Sequence, residues 1–246
     1  MERNITVCVQ KGAQTDLAEA FADRIETVVA EQPGEELTVL FDETGVSLTG
    51  YGLHYQGNFE AMLRRVTGGR LQHEMLVRAA KKAGDGLKGI DATAGMGEDA
   101  FLLAAYGYEM TLYEQNPVVA ELLKDALRRA RKHPQLGEIA ERMQLVEGDS
   151  VQGLKSRVDK VNLIYLDPMF PGRQKSGLIN KKLQLIQKLE PPCSKEEELF
   201  DAAIQAVPSK IVVKRPLKSP FLAGRKPTYE LKGKAIRYDC YALGGK

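Results

Sequence analysis

The chain has no tryptophan, only three cysteines and three histidines, and no long apolar run. Cys8, Cys193 and Cys240 lie far apart and form no Cys-x-x-Cys pair and no Cys/His grouping. That spacing leaves no legible metal site and no disulfide framework, so reduced thiols in a cytoplasmic protein are the expectation. Nothing approaches the roughly 20 consecutive apolar residues needed to cross a bilayer. The opening residues, Met1 to Val7, carry no hydrophobic signal region, so no export signal and no membrane partner are expected. Internal repeats and low-complexity tracts are also absent. What remains is 246 residues, 43% of them hydrophobic, enough for one α/β domain with an appendage.

The most informative segment is the apolar run Val161-Asn162-Leu163-Ile164-Tyr165-Leu166, which ends in Asp167-Pro168-Met169-Phe170. A buried strand followed by an acid, a proline and an aromatic puts two acceptors and a flat apolar surface at a sheet edge. Asp167 can accept from an amino group, and so can the carbonyl of Pro168, which has no N–H of its own. Phe170 can stack on the ring that bears the amine. Taken alone, the same residues could simply end a strand and start a turn.

A second turn decides between these readings. Leu87-Lys88-Gly89-Ile90 leads into Asp91-Ala92-Thr93-Ala94-Gly95-Met96-Gly97-Glu98-Asp99-Ala100, and an apolar helical stretch from Phe101 follows. Gly95 and Gly97 let the backbone turn tightly and lie against a ligand. Met110-Thr111-Leu112-Tyr113-Glu114 is then a short strand ending in a carboxylate, placed to bind the hydroxyls of a ribose. Gly95-x-Gly97-x-x-Ala100 with Glu114 also satisfies a dinucleotide fingerprint. Against a dinucleotide, Asp91 would face the pyrophosphate, and Glu98 and Asp99 add negative charge where a phosphate would dock. S-adenosylmethionine has the ribose and adenine, carries a sulfonium and an ammonium, and has no phosphate. It is the cofactor these residues favour, and they point to a methyltransferase.

Four segments together resemble a known family. Asp91 to Phe101, Glu114-Gln-Asn-Pro-Val-Val-Ala120, Tyr165-Leu-Asp-Pro-Met-Phe-Pro171 and Val212-Val-Lys-Arg-Pro216 are similar to the RsmJ family of bacterial methyltransferases. The resemblance is strong from about Gly68 onward, includes Gln174-Lys175-Ser176, and is weak over the first 60 or so residues. It implies methylation of N2 of a guanosine near the 3′ end of small-subunit (16S) ribosomal RNA, free or assembled into the subunit. The implied fold is Rossmann-like, with a mostly parallel seven-stranded sheet and a closing antiparallel strand. Catalytic roles are implied for Asp167, Pro168 and Phe170. Cofactor contacts are expected from Asp91, Gly95, Gly97, Glu98, Asp99, Glu114, Gln115, Asp149, Ser150 and Asp167. Glu98 and Gln115 depart from the family pattern, which has arginine at both.

A net charge of +2 conceals an uneven distribution. From Val207 to Lys246 there are ten Lys and Arg against Glu230 and Asp239, and from Pro171 to Lys188 five bases and no acid. Any single lysine is ordinarily solvated surface. Gathered around a site for a flat amine, they suggest a phosphate-binding rim for RNA, with Arg173, Lys175, Lys181, Lys182, Lys214 and Arg215 as its members.

The remaining pattern supplies the scaffold. Residues 1–66 read as a small α+β extension: a strand at Ile5 to Gln10, a helix from Thr15 to Ala30 with Leu17, Phe21, Ile25 and Val28 on one face, and a hairpin around Asp42-Glu43-Thr44. Residues 67–246 form the main α/β domain, entered by a helix from Arg70 to Ala83. Asn116 is an N-cap with Pro117 at the first helical position. Met143 to Val146 is a strand leading to Asp149, where this fold can place an acid against the adenine amine, although a turn Asp could equally cap the next helix. Glu196 to Ala206 is a helix, Lys210 to Lys214 a strand stopped by Pro216, and Tyr229 to Tyr241 a closing hairpin. Alternating strands and helices predict a parallel sheet with antiparallel strands at its end. An amino-methyltransferase of DNA or of a protein amide, or a non-catalytic RNA-binding module on the same fold, also remains compatible with these residues.

Overall fold

The computed structural model describes residues 5–81, 86–168, 185–186, 188–189 and 195–243. Its larger sheet has seven strands in the order β11-β12-β10-β9-β6-β7-β8. β6 (Lys88–Asp91), β7 (Glu109–Glu114), β8 (Met143–Glu147), β9 (Leu163–Leu166) and β10 (Lys210–Pro216) are mutually parallel. β12 (Ile236–Ala242) runs against both of its neighbours, β10 and β11 (Tyr229–Lys232). This is the expected architecture, with β12 as the closing antiparallel strand.

The strands are apolar on both faces because helices cover both. Leu163, Tyr165 and Val212 face a core shared with the helices Met75–Ala80 and Glu98–Tyr106. Ile164, Leu166, Ile211 and Val213 face the other way, onto Ser150–Lys155 and Glu196–Gln205. Such two-sided burial is what a parallel sheet requires, and alternate residues of one strand serve different cores. The chain builds β6, β7 and β8 outward, then crosses back to lay β9 on the other side of β6. The reversal opens a crevice at the carboxyl ends of β6 and β9, the place where open α/β sheets bind ligands.

A second sheet precedes it, in the order β2-β1-β3-β4-β5. β1 (Thr6–Val9) lies parallel to β2 (Val29–Ala30) and β3 (Thr38–Asp42), while β3, β4 (Gly45–Gly50) and β5 (Leu53–Tyr55) are antiparallel. The hairpin at Asp42 is as expected. Val7, Val39 and Leu48 of this sheet share a core with Val118, Val119 and Leu122 of the helix Pro117–Arg131. Phe59 and Met62, also within the first 66 residues, are buried in the core of the larger sheet. There Phe59 stacks on Phe101 with ring centroids 4.7 Å apart, a contact worth about 0.5–1.5 kcal/mol beyond its buried area.

Two helices are shorter than expected. The one starting at Thr15 ends at Arg24, because Glu26 turns to φ +53° and Thr27 donates its hydroxyl to the Ile5 carbonyl. Val29 and Ala30 are thereby delivered to β1 as a strand, and Leu17 and Val28 are exposed instead of sharing the buried face with Phe21. The helix expected from Arg70 is a 3₁₀ turn, Leu71–His73, followed by Met75–Ala80 after extended backbone at Glu74. Asn116 does cap its helix, accepting from the N–H groups of Val118 and Val119, with Pro117 at the first helical position. Among the described residues no helix is long and apolar enough to cross a membrane.

Candidate active site

At the carboxyl ends of β6, β7 and β9 lies a cavity of about 680 Å³, within the range of small-molecule sites. Asp91, Gly95, Gly97, Glu98, Asp99, Glu114, Gln115, Asp149, Ser150, Asp167 and Pro168 all border it. The structure therefore brings every expected cofactor residue to one place, together with two of the three expected catalytic residues. Phe170 lies outside the described residues, as do Arg173, Lys175, Lys181 and Lys182.

The glycine turn is built as its sequence requires. Gly95 and Gly97 have φ of +51° and +73°, a region that side chains other than glycine rarely adopt. A Cβ on Gly97 would also come within 2.9 Å of Leu123 Cδ1, so the turn sits directly on the helix Pro117–Arg131. Glu114, buried at the end of β7, holds the turn from the other side. Its Oε2 accepts from the Gly95 N–H at 2.9 Å and its Oε1 from the Asn116 N–H at 2.8 Å. These bonds fix Glu114 at the cavity wall, where a carboxylate can also accept from ribose hydroxyls. Asp149 borders the cavity and also caps the helix Ser150–Lys155, its Oδ1 accepting from the Val151 N–H at 2.8 Å.

The floor of the cavity is acidic. Burial pushes the Asp91 carboxyl up to about 7, against the Thr93 N–H bond and with the neighbouring charges of Asp99 and Asp167 adding to the rise. Asp167 is raised by desolvation too, and here Lys214 opposes the shift. Lys214 Nζ lies 2.9 Å from Asp167 Oδ2 and 2.7 Å from Asp99 Oδ2. Tyr165, buried in β9, donates its hydroxyl to the same Asp99 oxygen at 2.6 Å. The Asp167 N–H donates to the Thr93 hydroxyl at 2.6 Å.

These contacts revise the expected RNA rim at two positions. Arg215 is 1% exposed and donates to Glu196 Oε1 at 2.8 Å and to the Pro220 carbonyl at 3.2 Å. It packs inside the fold and is no part of a solvent-facing rim. Lys214 borders the cavity between two carboxylates rather than facing solvent as a free cation. Strand register explains the placement of Lys214. Val213 pairs with Leu166 in the parallel ladder, so the next residues, Lys214 and Asp167, emerge side by side.

Sequence reasoning missed Thr93 and Tyr165 as site residues, and it assigned Lys214 to the RNA rim rather than to the cavity. Tyr165 had a detectable signal, since a phenol inside a buried apolar strand needs a hydrogen-bond partner. Thr93 had a weaker one, two residues after Asp91, where an Asx turn forms.

A cavity rich in carboxylates, lined by backbone at two glycines and closed below by a β7 acid, fits a ligand with a ribose and positive charge. It does not suit one with a pyrophosphate. Fold and site together define an S-adenosylmethionine-dependent methyltransferase. The model of the family described as "Putative SAM-dependent methyltransferase" matches residues 52–243. A crystal structure of a SAM-dependent methyltransferase from Neisseria gonorrhoeae superposes with a TM-score of 0.75 at 29% identity, covering 98% of this chain and 97% of that one. The Ribosomal RNA small subunit methyltransferase J of Aeromonas salmonicida is 40% identical over 181 residues, 73% of each chain. The protein of the same name from Pseudomonas aeruginosa is 37% identical over 245 residues, 93% of each. The chain belongs to the ribosomal RNA small subunit methyltransferase J family.

Proposed function

We propose that this protein methylates the exocyclic N2 amine of a guanosine in small-subunit (16S) ribosomal RNA. The observation that carries the proposal is the Asp167-Pro168 turn, which leaves β9 at the mouth of the acidic cavity with Asp167 Oδ2 held by Lys214. The names of the relatives support small-subunit ribosomal RNA as the substrate. Asp91, Glu114 and Asp149 would hold S-adenosylmethionine, which supplies an electrophilic methyl group on its sulfonium.

The chain's own contribution is to make a poor nucleophile competent. The guanine amine is weakly nucleophilic because its lone pair is delocalised into the ring. Asp167 and the Pro168 carbonyl each accept one N–H, which favours a pyramidal nitrogen with its lone pair directed at the methyl donor. Positioning then supplies much of the rate. No strong base is needed, because the amine proton becomes acidic once the methyl is attached. A stacked or paired base cannot enter such a site, so the target nucleotide must be unpaired or flipped. Phe170 would stack on it, and Arg173, Lys175, Lys181 and Lys182 would bind flanking phosphates.

In this reading residues 67–246 carry the catalytic domain and residues 1–66 an extension that shares its core. The site of action is the cytoplasm, on free RNA or on an assembling subunit. The test is incubation with methyl-labelled S-adenosylmethionine and small-subunit RNA, followed by mass spectrometry of the nucleosides. Labelled N2-methylguanosine is expected. Label found only in DNA or in protein amides, or no transfer to any acceptor, would overturn the assignment.

A further inference from the structure

Lys214 is the polar residue whose placement departs most from its sequence-based reading. Its ammonium has three N–H donors. Two point at carboxylates on different elements, Asp99 at the start of the helix Glu98–Tyr106 and Asp167 after β9. The side chain is only 26% exposed. A lysine bracketed by two acids offers little net positive charge to a phosphate. It can, however, fix the direction of a carboxylate. Held through Oδ2, Asp167 has Oδ1 available for an amine N–H.

We propose that Lys214 is a positioning residue for methyl transfer, orienting the Asp167 carboxylate from the neighbouring strand while Asp99 and Tyr165 in turn orient Lys214. The inference rests on the assignment of Asp167 as the acceptor for the substrate amine.

The electrostatic surroundings give this role a second consequence. Asp167 is faced by Asp91 from β6, by Asp99 from the helix, by Tyr165 within β9 and by Tyr238 from β12. Among the described residues, Arg215 is paired with Glu196 and Arg65 with Glu74, while Lys195 also lines the cavity. The ionised Asp167 is the stronger acceptor for an N–H, so methyl transfer falls as pH drops through its titration. Lys214 holds that titration down. Removing its charge moves the acid limb of the rate profile to higher pH.

The experiment is single-turnover methylation of small-subunit RNA at saturating enzyme and S-adenosylmethionine, across the range from about pH 5.5 to about pH 9, using Lys214→Met and Lys214→Arg. For Lys214→Met a rate loss of about ten- to a hundredfold at neutral pH is expected, the scale of a misplaced reacting group, with the acid limb shifted upward. RNA affinity and its salt dependence should stay as in the wild type. Lys214→Arg, which keeps the charge, should recover the position of the acid limb. Circular dichroism melting of each variant separates these effects from loss of fold. If Lys214→Met reacts at the wild-type rate with an unshifted profile while Asp167→Ala is dead, the role of Lys214 is wrong and that of Asp167 stands. A Lys214→Met variant that chiefly loses RNA affinity with a shallower salt dependence is a phosphate contact, which also overturns the inference. If Asp167→Ala itself keeps the wild-type rate, the amine-acceptor assignment fails and takes this inference with it.

Discussion

The backbone N–H of Asp167 donates to the Thr93 hydroxyl at 2.6 Å, and the Thr93 N–H donates to Asp91 Oδ1 at 3.0 Å. One short side chain thereby joins the turn that faces the cofactor to the turn that faces the substrate. Thr93→Val keeps the shape and removes the acceptor, leaving a part-buried N–H unsatisfied. That should cost about 1–3 kcal/mol, read as a fall in melting temperature of about 2–4 °C per kcal/mol for a chain of this size. Methyl transfer should slow as well, and Thr93→Ser should restore both. An unchanged melting temperature and rate in Thr93→Val would mean that the hydroxyl is idle.

Glu114 serves two masters. Its oxygens already accept from Gly95 and Asn116, so it shapes the turn before any ligand arrives. Glu114→Ala should weaken S-adenosylmethionine binding by about 1–3 kcal/mol, the scale for a hydrogen bond to a charged group. Calorimetry would measure it. Wild-type affinity in the variant would remove Glu114 from the cofactor site.

What could be read from the sequence divides along a physical line. Strands β6, β7, β9 and β10 announce themselves as apolar runs ending in polar turns, and Asn116-Pro117 marks its helix through local chemistry alone. Asp91, Glu114 and Asp167 were legible as cavity residues because each stands at a strand end. By contrast, Val29 and Ala30 continue an apolar helical pattern, and the left-handed turn at Glu26 together with the bond from Thr27 to the Ile5 carbonyl diverts them into a sheet. Lys214 and Arg215 add to a count of positive charge that cannot tell a solvent-facing side chain from an inward one. Their roles depend on the register of β10 against β9 and on Glu196, 19 residues away in sequence. Such contacts are set by tertiary packing and leave no local trace.

The raised titration of Asp91 has consequences for stability and for binding. Its carboxyl moves from an ordinary value of 3.8 up to about 7. Between those values the folded protein holds a proton that the unfolded chain has released. Stability is therefore lost as pH rises through this window and levels off above it. Asp91→Asn has no such proton to hold and should lack that fall in urea-unfolding midpoint from about pH 4 to about pH 7. A cationic ligand favours the ionised carboxylate, so S-adenosylmethionine affinity should increase toward neutral pH in the wild type, by at most about tenfold per unit. The same slope persisting in Asp91→Asn, in both measurements, would assign the proton to another group.

The basic run after the catalytic turn makes a different prediction. Neutralising Lys175, Lys181 and Lys182 together should chiefly weaken RNA binding and flatten its dependence on salt, because each phosphate contact releases a counterion. The single-turnover rate at saturating RNA should change little. Binding measured at two salt concentrations decides the matter. A slope identical to wild type would mean that these lysines do not meet the RNA backbone.

Asp167 and Phe170 separate chemistry from recognition. Asp167→Ala removes the acceptor that orients the amine, while Lys214 keeps Asp99 as a partner, so methyl transfer should be lost with the fold intact. Phe170→Ala should both slow transfer and weaken RNA binding, since stacking of a base on an aromatic ring is worth about 1–3 kcal/mol. Single-turnover methylation of ribosomal RNA at saturating enzyme, alongside equilibrium binding, distinguishes the two. Asp167→Ala should bind RNA as the wild type does and transfer nothing. Phe170→Ala should lose affinity by roughly five- to 150-fold, the equivalent of that stacking energy. Transfer at the wild-type rate by Asp167→Ala would reduce the turn to the end of a strand and remove the proposed mechanism.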